Sequence, residues 1–121
     1  MGLFDACLKG LHITRMDPVG EVDAWMTVDR VVENSWGTLH GGAIATLVDV
    51  MGTLALLAKD HKRGGVSVEL SVSYLVAVKA GDKVHCKGRT LKLGKTLGFT
   101  EVQLFTHDGK LAATGRHTKA M

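Results

Sequence analysis

From Gly41 to Ala58 the chain carries a single charged residue, Asp49. A run this long and apolar either crosses a bilayer, for which about 17–25 residues are needed, or is enclosed by the rest of its own fold. Its glycines and threonines, its central aspartate and the amphipathic segments around it favour the second outcome, a core helix and no membrane span. The remaining chain must then supply a surface that wraps the helix. At 121 residues there is room for one domain, 1–121. Hydrophobic residues at 45% and charged residues at 22% fit a soluble globular protein. The net charge of +3 is mild, and the six aromatic residues do not interleave with basic clusters, so no nucleic-acid partner is expected.

The flanking segments read as strands. Leu11–Met16 and Glu21–Val28 precede the helix, joined by a turn at Asp17-Pro18-Val19-Gly20. After it come Val66–Val76, Lys83–Leu93, Thr96–Thr106 and Leu111–Lys119. His107-Asp108-Gly109-Lys110 is a hairpin turn of the Asp-Gly kind. Within Val66–Val76, strict alternation places Val66, Val68, Leu70, Val72 and Tyr74 on one side and Ser67, Glu69, Ser71 and Ser73 on the other. The order predicts an antiparallel α+β domain, five or six strands around one helix spanning residues 40–59. Fifteen glycines, roughly double the usual share, imply places where backbone approaches backbone or ligand.

On a helical wheel the segment has two unlike faces. Gly42, Ala45, Thr46, Gly52 and Thr53 share the Asp49 side, while Ile44, Leu47, Met51 and Leu54 lie opposite. The bulky side is expected to fill the core. The small side would admit a second subunit or a substrate chain. Asp49 is costly to bury unless paired or used. It is either a structural aspartate, bonded to Thr46, Thr53 or a neighbouring strand, or a catalytic carboxylate; no Lys or Arg lies one turn away to form a helical ion pair. Gly41-Gly42 either permits a tight entry into the helix or leaves free N–H groups, at its positive end, for a carbonyl oxygen. Eight residues at 1.5 Å each separate Gly41 from Asp49 by about 12 Å. One carbonyl cannot touch both within one helix, so they serve different purposes or belong to a site shared between two subunits.

Cys7 and Cys86 are too few for a disulfide framework and lack metal-ligand spacing, which fits a reducing, intracellular compartment. No secretory leader is expected, and Ala6 replaces the Ser or Thr that a myristoylation start favours.

Four segments, in order, carry a resemblance: Asn34-Ser35-Trp36-Gly37-Thr38-Leu39-His40-Gly41-Gly42 continuing to Asp49; Gly65-Val66-Ser67-Val68; Gly94-Lys95-Thr96-Leu97 with Phe99-Thr100; and Gly115-Arg116-His117-Thr118-Lys119. Together they resemble the hotdog-fold acyl-CoA thioesterases over nearly the whole chain from Phe4 onward. The resemblance implies a hotdog fold, an antiparallel sheet wrapped around one central helix, with subunits pairing through their sheets and two dimers forming a tetramer. It implies hydrolysis of acyl-CoA in fatty-acid metabolism, in the cytoplasm or mitochondria, without metal or other cofactor. By residue, it implies that the Gly41 N–H polarises the thioester carbonyl and that Asn34 and His40 support that end. Asp49 of the facing subunit acts as general base or nucleophile, and Ser67 holds the water or Asp49. Lys92, Lys95, Arg116, His117 and Lys119 are expected to contact coenzyme A phosphates. Tyr74 lines an acyl tunnel or packs in the core. Two other activities fit the same resemblance: a hotdog hydratase or dehydratase, and a non-catalytic acyl-CoA binding module.

Overall fold

The computed structural model describes residues 8–121; Phe4, Ala6, Cys7 and the Met1-Gly2 start lie outside the described residues. In chain order the elements are β1 (His12–Asp17), β2 (Glu21–Thr27), α1 (Gly41–Lys59), β3 (Val66–Tyr74), β4 (Lys83–Leu93), β5 (Leu97–Phe105) and β6 (Leu111–Ala120). The strands form one six-stranded sheet in the order β1-β2-β4-β5-β6-β3, antiparallel at every junction. With α1 packed across one face, this is the hotdog arrangement the motifs imply. The β3 strand stops at Tyr74 rather than Val76, because the N–H groups of Leu75 and Val76 both turn to the Ala112 carbonyl.

His40 caps α1 in an extended conformation, its ring Nδ1 accepting the Gly42 N–H at 2.8 Å. Lys59, in the last turn, complements the negative end of the helix. Ile44, Leu47, Val48, Met51 and Ala55 bury themselves against Val22, Ala24 and Met26 of β2, Val84 and Cys86 of β4, and Val102 and Leu104 of β5. Such burial, at about 25 cal/mol per Å² of apolar surface, holds a helix that propensity alone would leave marginal. Two strand glycines set how closely the helix sits. A Cβ on Gly88 would lie 2.8 Å from the Met51 carbonyl oxygen, and one on Gly115 would lie 2.7 Å from Val48 Cγ1. Neither position has room for a side chain.

The buried arc differs from the wheel. Leu54, expected in the core, is only half-buried and faces a cleft. Gly52 and Thr46, expected on the open small face, are buried, Gly52 against β5 and β6. The arc turns toward Gly52 because side chains of β5 and β6 occupy the space its missing Cβ leaves.

β3 is an edge strand that pairs only with β6, and Val66, Val68, Leu70 and Tyr74 along it are exposed. Its register contains a bulge: Ser67 opposes Lys119 but Glu69 opposes Thr118, so one extra residue stands between them. Bulges re-aim side chains. Here Ser67 joins the helix-facing set, and the strict alternation that grouped it with Ser71 and Ser73 fails.

Candidate active site

The structure gathers the predicted residues into two groups at different places on α1. The first lies at the helix start. Asn34 orders the loop before it: its Oδ1 accepts the N–H groups of Trp36 and Thr38 at 2.9 and 3.1 Å, and its Nδ2 donates to Thr38 Oγ1 at 2.9 Å. The loop then closes on the core through the His40 N–H, which donates to the Val32 carbonyl at 2.7 Å. Because His40 Nδ1 is engaged with Gly42, the ring is fixed as a cap. Among the described residues the Gly41 N–H has no backbone acceptor, as expected of the first turn of a helix. Tyr74 neither packs in the core nor lines the Asp49 cleft. Exposed on β3, it donates its hydroxyl to the Gly41 carbonyl at 3.2 Å and sets its ring against the Gly41 backbone.

The second group surrounds Asp49. Its carboxylate is half-exposed at one side of a cleft of about 810 Å³. The cleft is walled by Leu11 and Ile13, by Val50, Leu54 and Leu57 of α1, and by Ser67 and Lys119. Ser67 Oγ donates to Asp49 Oδ1 at 3.2 Å and lies 2.6 Å from His117 Nε2. The same Nε2 is 3.4 Å from Asp49 Oδ1. One turn along the helix, Thr53 Oγ1 donates to the Asp49 carbonyl at 2.9 Å and accepts from Lys119 Nζ at 2.8 Å. Burial holds the Lys119 ammonium below its ordinary pKa, against the attraction of Asp49.

The basic set read from the sequence is divided by the strand period. Alternate residues of β6 face opposite ways. Lys119 and His117 therefore turn toward the helix, and Arg116 turns outward to Glu101 at 3.7 Å. His117 is not a solvent-facing phosphate ligand: its side chain is fully enclosed. Lys92, opposite Phe99, and Lys95, in the β4–β5 turn, are exposed. That turn is tethered by Arg63, whose Nη2 donates to the carbonyls of Gly94 and Lys95 at 2.6 and 2.8 Å. A second depression, about 480 Å³ on the far face of the sheet, is occupied by ion pairs from Arg15 to Asp23 and Glu21 and from Arg89 to Glu101.

Sequence reasoning missed His117 as a neighbour of Asp49 and missed the cleft wall. Counting by twos along β6 separates His117 from Arg116; nothing local announces the bulge that brings Ser67 to meet it.

This fold, with an acid midway along α1 and a glycine pair at its start, is that of the hotdog thioesterases. The chain belongs to the thioesterase superfamily, whose family model matches residues 37–113. It is 46% identical over 117 residues to acyl-coenzyme A thioesterase 13 of Homo sapiens, a match covering 96% of this chain and 83% of that protein. Among solved structures, zebrafish thioesterase superfamily member 2 superposes with a TM-score of 0.94 at 39% identity, covering 99% of this chain and 87% of that one. Thioesterase superfamily member 2 from Mus musculus superposes with a TM-score of 0.90, also at 39% identity, covering 97% and 86%.

Proposed function

We infer that the protein hydrolyses acyl-CoA thioesters to free carboxylic acid and coenzyme A, at a site assembled from two copies of the chain. The observation that carries this reading is the Asp49 carboxylate, half-exposed in an apolar cleft and bonded to Ser67 through one oxygen. Its other oxygen, Oδ2, makes no hydrogen bond among the described residues and is left for water or for the thioester carbon. In the first case Asp49 is a general base, in the second a nucleophile. The similarity to acyl-coenzyme A thioesterase 13 supports the substrate class.

The carbonyl oxygen would be held by the Gly41 N–H of the other copy, where the helix dipole favours developing negative charge. Asn34 and His40 serve this by fixing the approach to Gly41, and Tyr74 flanks the carbonyl end. The apolar wall of Leu11, Ile13, Val50, Leu54 and Leu57 suits an acyl chain. The exposed Lys92, Lys95 and Arg116 are the cations proposed for the coenzyme A phosphates. Lys119, 5% exposed and bonded to Thr53, lines the Asp49 cleft and is not a solvent-facing phosphate ligand. Pairing at the exposed edge of β3 would cover its apolar side chains and join two sheets, with two such dimers making the tetramer. The cytoplasmic or mitochondrial location is proposed from the low cysteine content alone.

The test is thiol release from short, long and aromatic acyl-CoAs, beside turnover of an enoyl thioester. Wild-type protein should release thiol. Folded Asp49→Asn should lose at least about a hundredfold in rate, the scale of a missing general base. Enoyl hydration without thiol release, or near-normal turnover by Asp49→Asn, would overturn the reading.

A further inference from the structure

His117 is the one side chain beside the carboxylate whose burial the hydrolytic reading leaves unused. It is fully enclosed, and its Nδ1 is buried with no hydrogen-bond partner among the described residues. Such an orphan in a native fold calls for a reason. The enclosure is built for the ring. A Cβ added to Gly52 would stand 2.9 Å from His117 Nδ1 and 2.5 Å from Thr100 Oγ1, and Thr100 Oγ1 in turn donates to the His117 carbonyl at 3.3 Å. Gly52 on the helix and Thr100 on β5 thus form a socket that grips the Nδ1 edge and points Nε2 at Ser67.

The contacts decide the tautomer. If Nδ1 carried the proton, an N–H would be buried unpaired, the rarer and costlier kind of orphan. The bare Nε2 would then face Asp49 Oδ1 at 3.4 Å, lone pair against lone pair. With the proton on Nε2, the ring donates to Ser67 Oγ at 2.6 Å and Ser67 donates onward to Asp49 Oδ1 at 3.2 Å. Only a bare acceptor is left in the socket, at less cost than a bare donor.

We propose that His117 is a positioning residue: as the Nε2–H tautomer it fixes the Ser67 hydroxyl so that Ser67 donates to Asp49 Oδ1, committing Oδ2 to the reaction. This rests on the hydrolytic reading of Asp49, and it adds a residue that acts through another without touching substrate.

Two measurements test it. Long-range proton–nitrogen correlation on histidine-labelled wild-type protein at neutral pH should show His117 with an unprotonated Nδ1 and a protonated Nε2. A protonated Nδ1 would overturn the proposal, and this readout stands even if no acyl-CoA is hydrolysed. In the kinetic arm, His117→Gln keeps an amide N–H near the place of Nε2–H but loses the socketed ring. It should lower kcat roughly tenfold while KM stays within about twofold. In a Ser67→Ala background the same change should cost less than about twofold, because the two residues act in series. Equal losses in both backgrounds would show that His117 supports the fold alone, and the proposal would fail. If His117→Gln does not fold, the wild-type tautomer decides.

Discussion

Ser67 Oγ reaches the Asp49 carboxylate, at 3.2 Å, from an edge strand that strict alternation would have turned the other way. The bulge between Ser67 and Glu69 makes the contact possible, and β6 adds Lys119 to the cleft wall and the enclosed His117 behind Ser67. A helix residue, a bulged edge residue and His117 of β6 therefore meet at one oxygen. Removal of the hydroxyl in Ser67→Ala should leave folding intact, since the side chain fills little volume. It should lower kcat about tenfold with little change in KM, as expected of an interaction that orients the reacting group without binding substrate. Steady-state thiol release on the purified variant checks this.

Asn34 is read differently once its partners are known. Its side chain makes three hydrogen bonds within the 34–38 loop, so Asn34→Ala loosens the segment that sets His40 and Gly41. The cost should be about 1–3 kcal/mol for the donors and acceptor left unpaired, measured by urea unfolding. It should be accompanied by a fall in kcat, since the carbonyl-binding end loses its frame. Unchanged stability with lost activity would mean that Asn34 touches substrate directly.

The burial of His117 has a consequence for acid stability. Desolvation in the socket lowers its pKa from the ordinary 6.5; the attraction of Asp49 opposes this and the charge of Lys119 adds to it. A base with a lowered folded-state pKa takes up its proton more readily in the unfolded chain. Below pH 6.5 the unfolded state then holds more protons than the folded state, and stability falls with falling pH. Unfolding free energy measured by urea from pH 7.5 to 5 should decline in the wild type and decline less steeply in His117→Gln, which cannot titrate there. Parallel curves would contradict the assignment.

The core was legible because its signals are local. The run from Gly41 to Ala58 with one charge predicts the central helix, and the period-two segments around it predict strands whose limits shift by only a residue or two. Gly109, with φ of 88°, sits in the Asp-Gly turn that joins β5 to β6. What escaped was long-range. The helix face was drawn from side-chain bulk, but the small Gly52 is buried because His117 and Thr100 fill the space beside it. Arg116, His117 and Lys119 look like one basic cluster in sequence, and the pleat of β6 divides them between opposite faces of the sheet.

The central claim is that each site joins the Gly41 end of one copy to Asp49 of another, since a separation of about 12 Å along one helix keeps a single carbonyl from touching both within one chain. Its most direct test mixes two variants that are each first shown to have lost most of their activity alone. Asn34→Ala damages the carbonyl end and Asp49→Asn the acid. In a two-fold mixed dimer one site receives both lesions and the other receives neither. Random exchange makes about half the dimers mixed, each with one sound site of two, so refolding the variants together should restore about a quarter of wild-type thiol release. With exchange verified by differential tagging, recovery near that level is the predicted result; no recovery would place the whole site within a single chain and contradict the account.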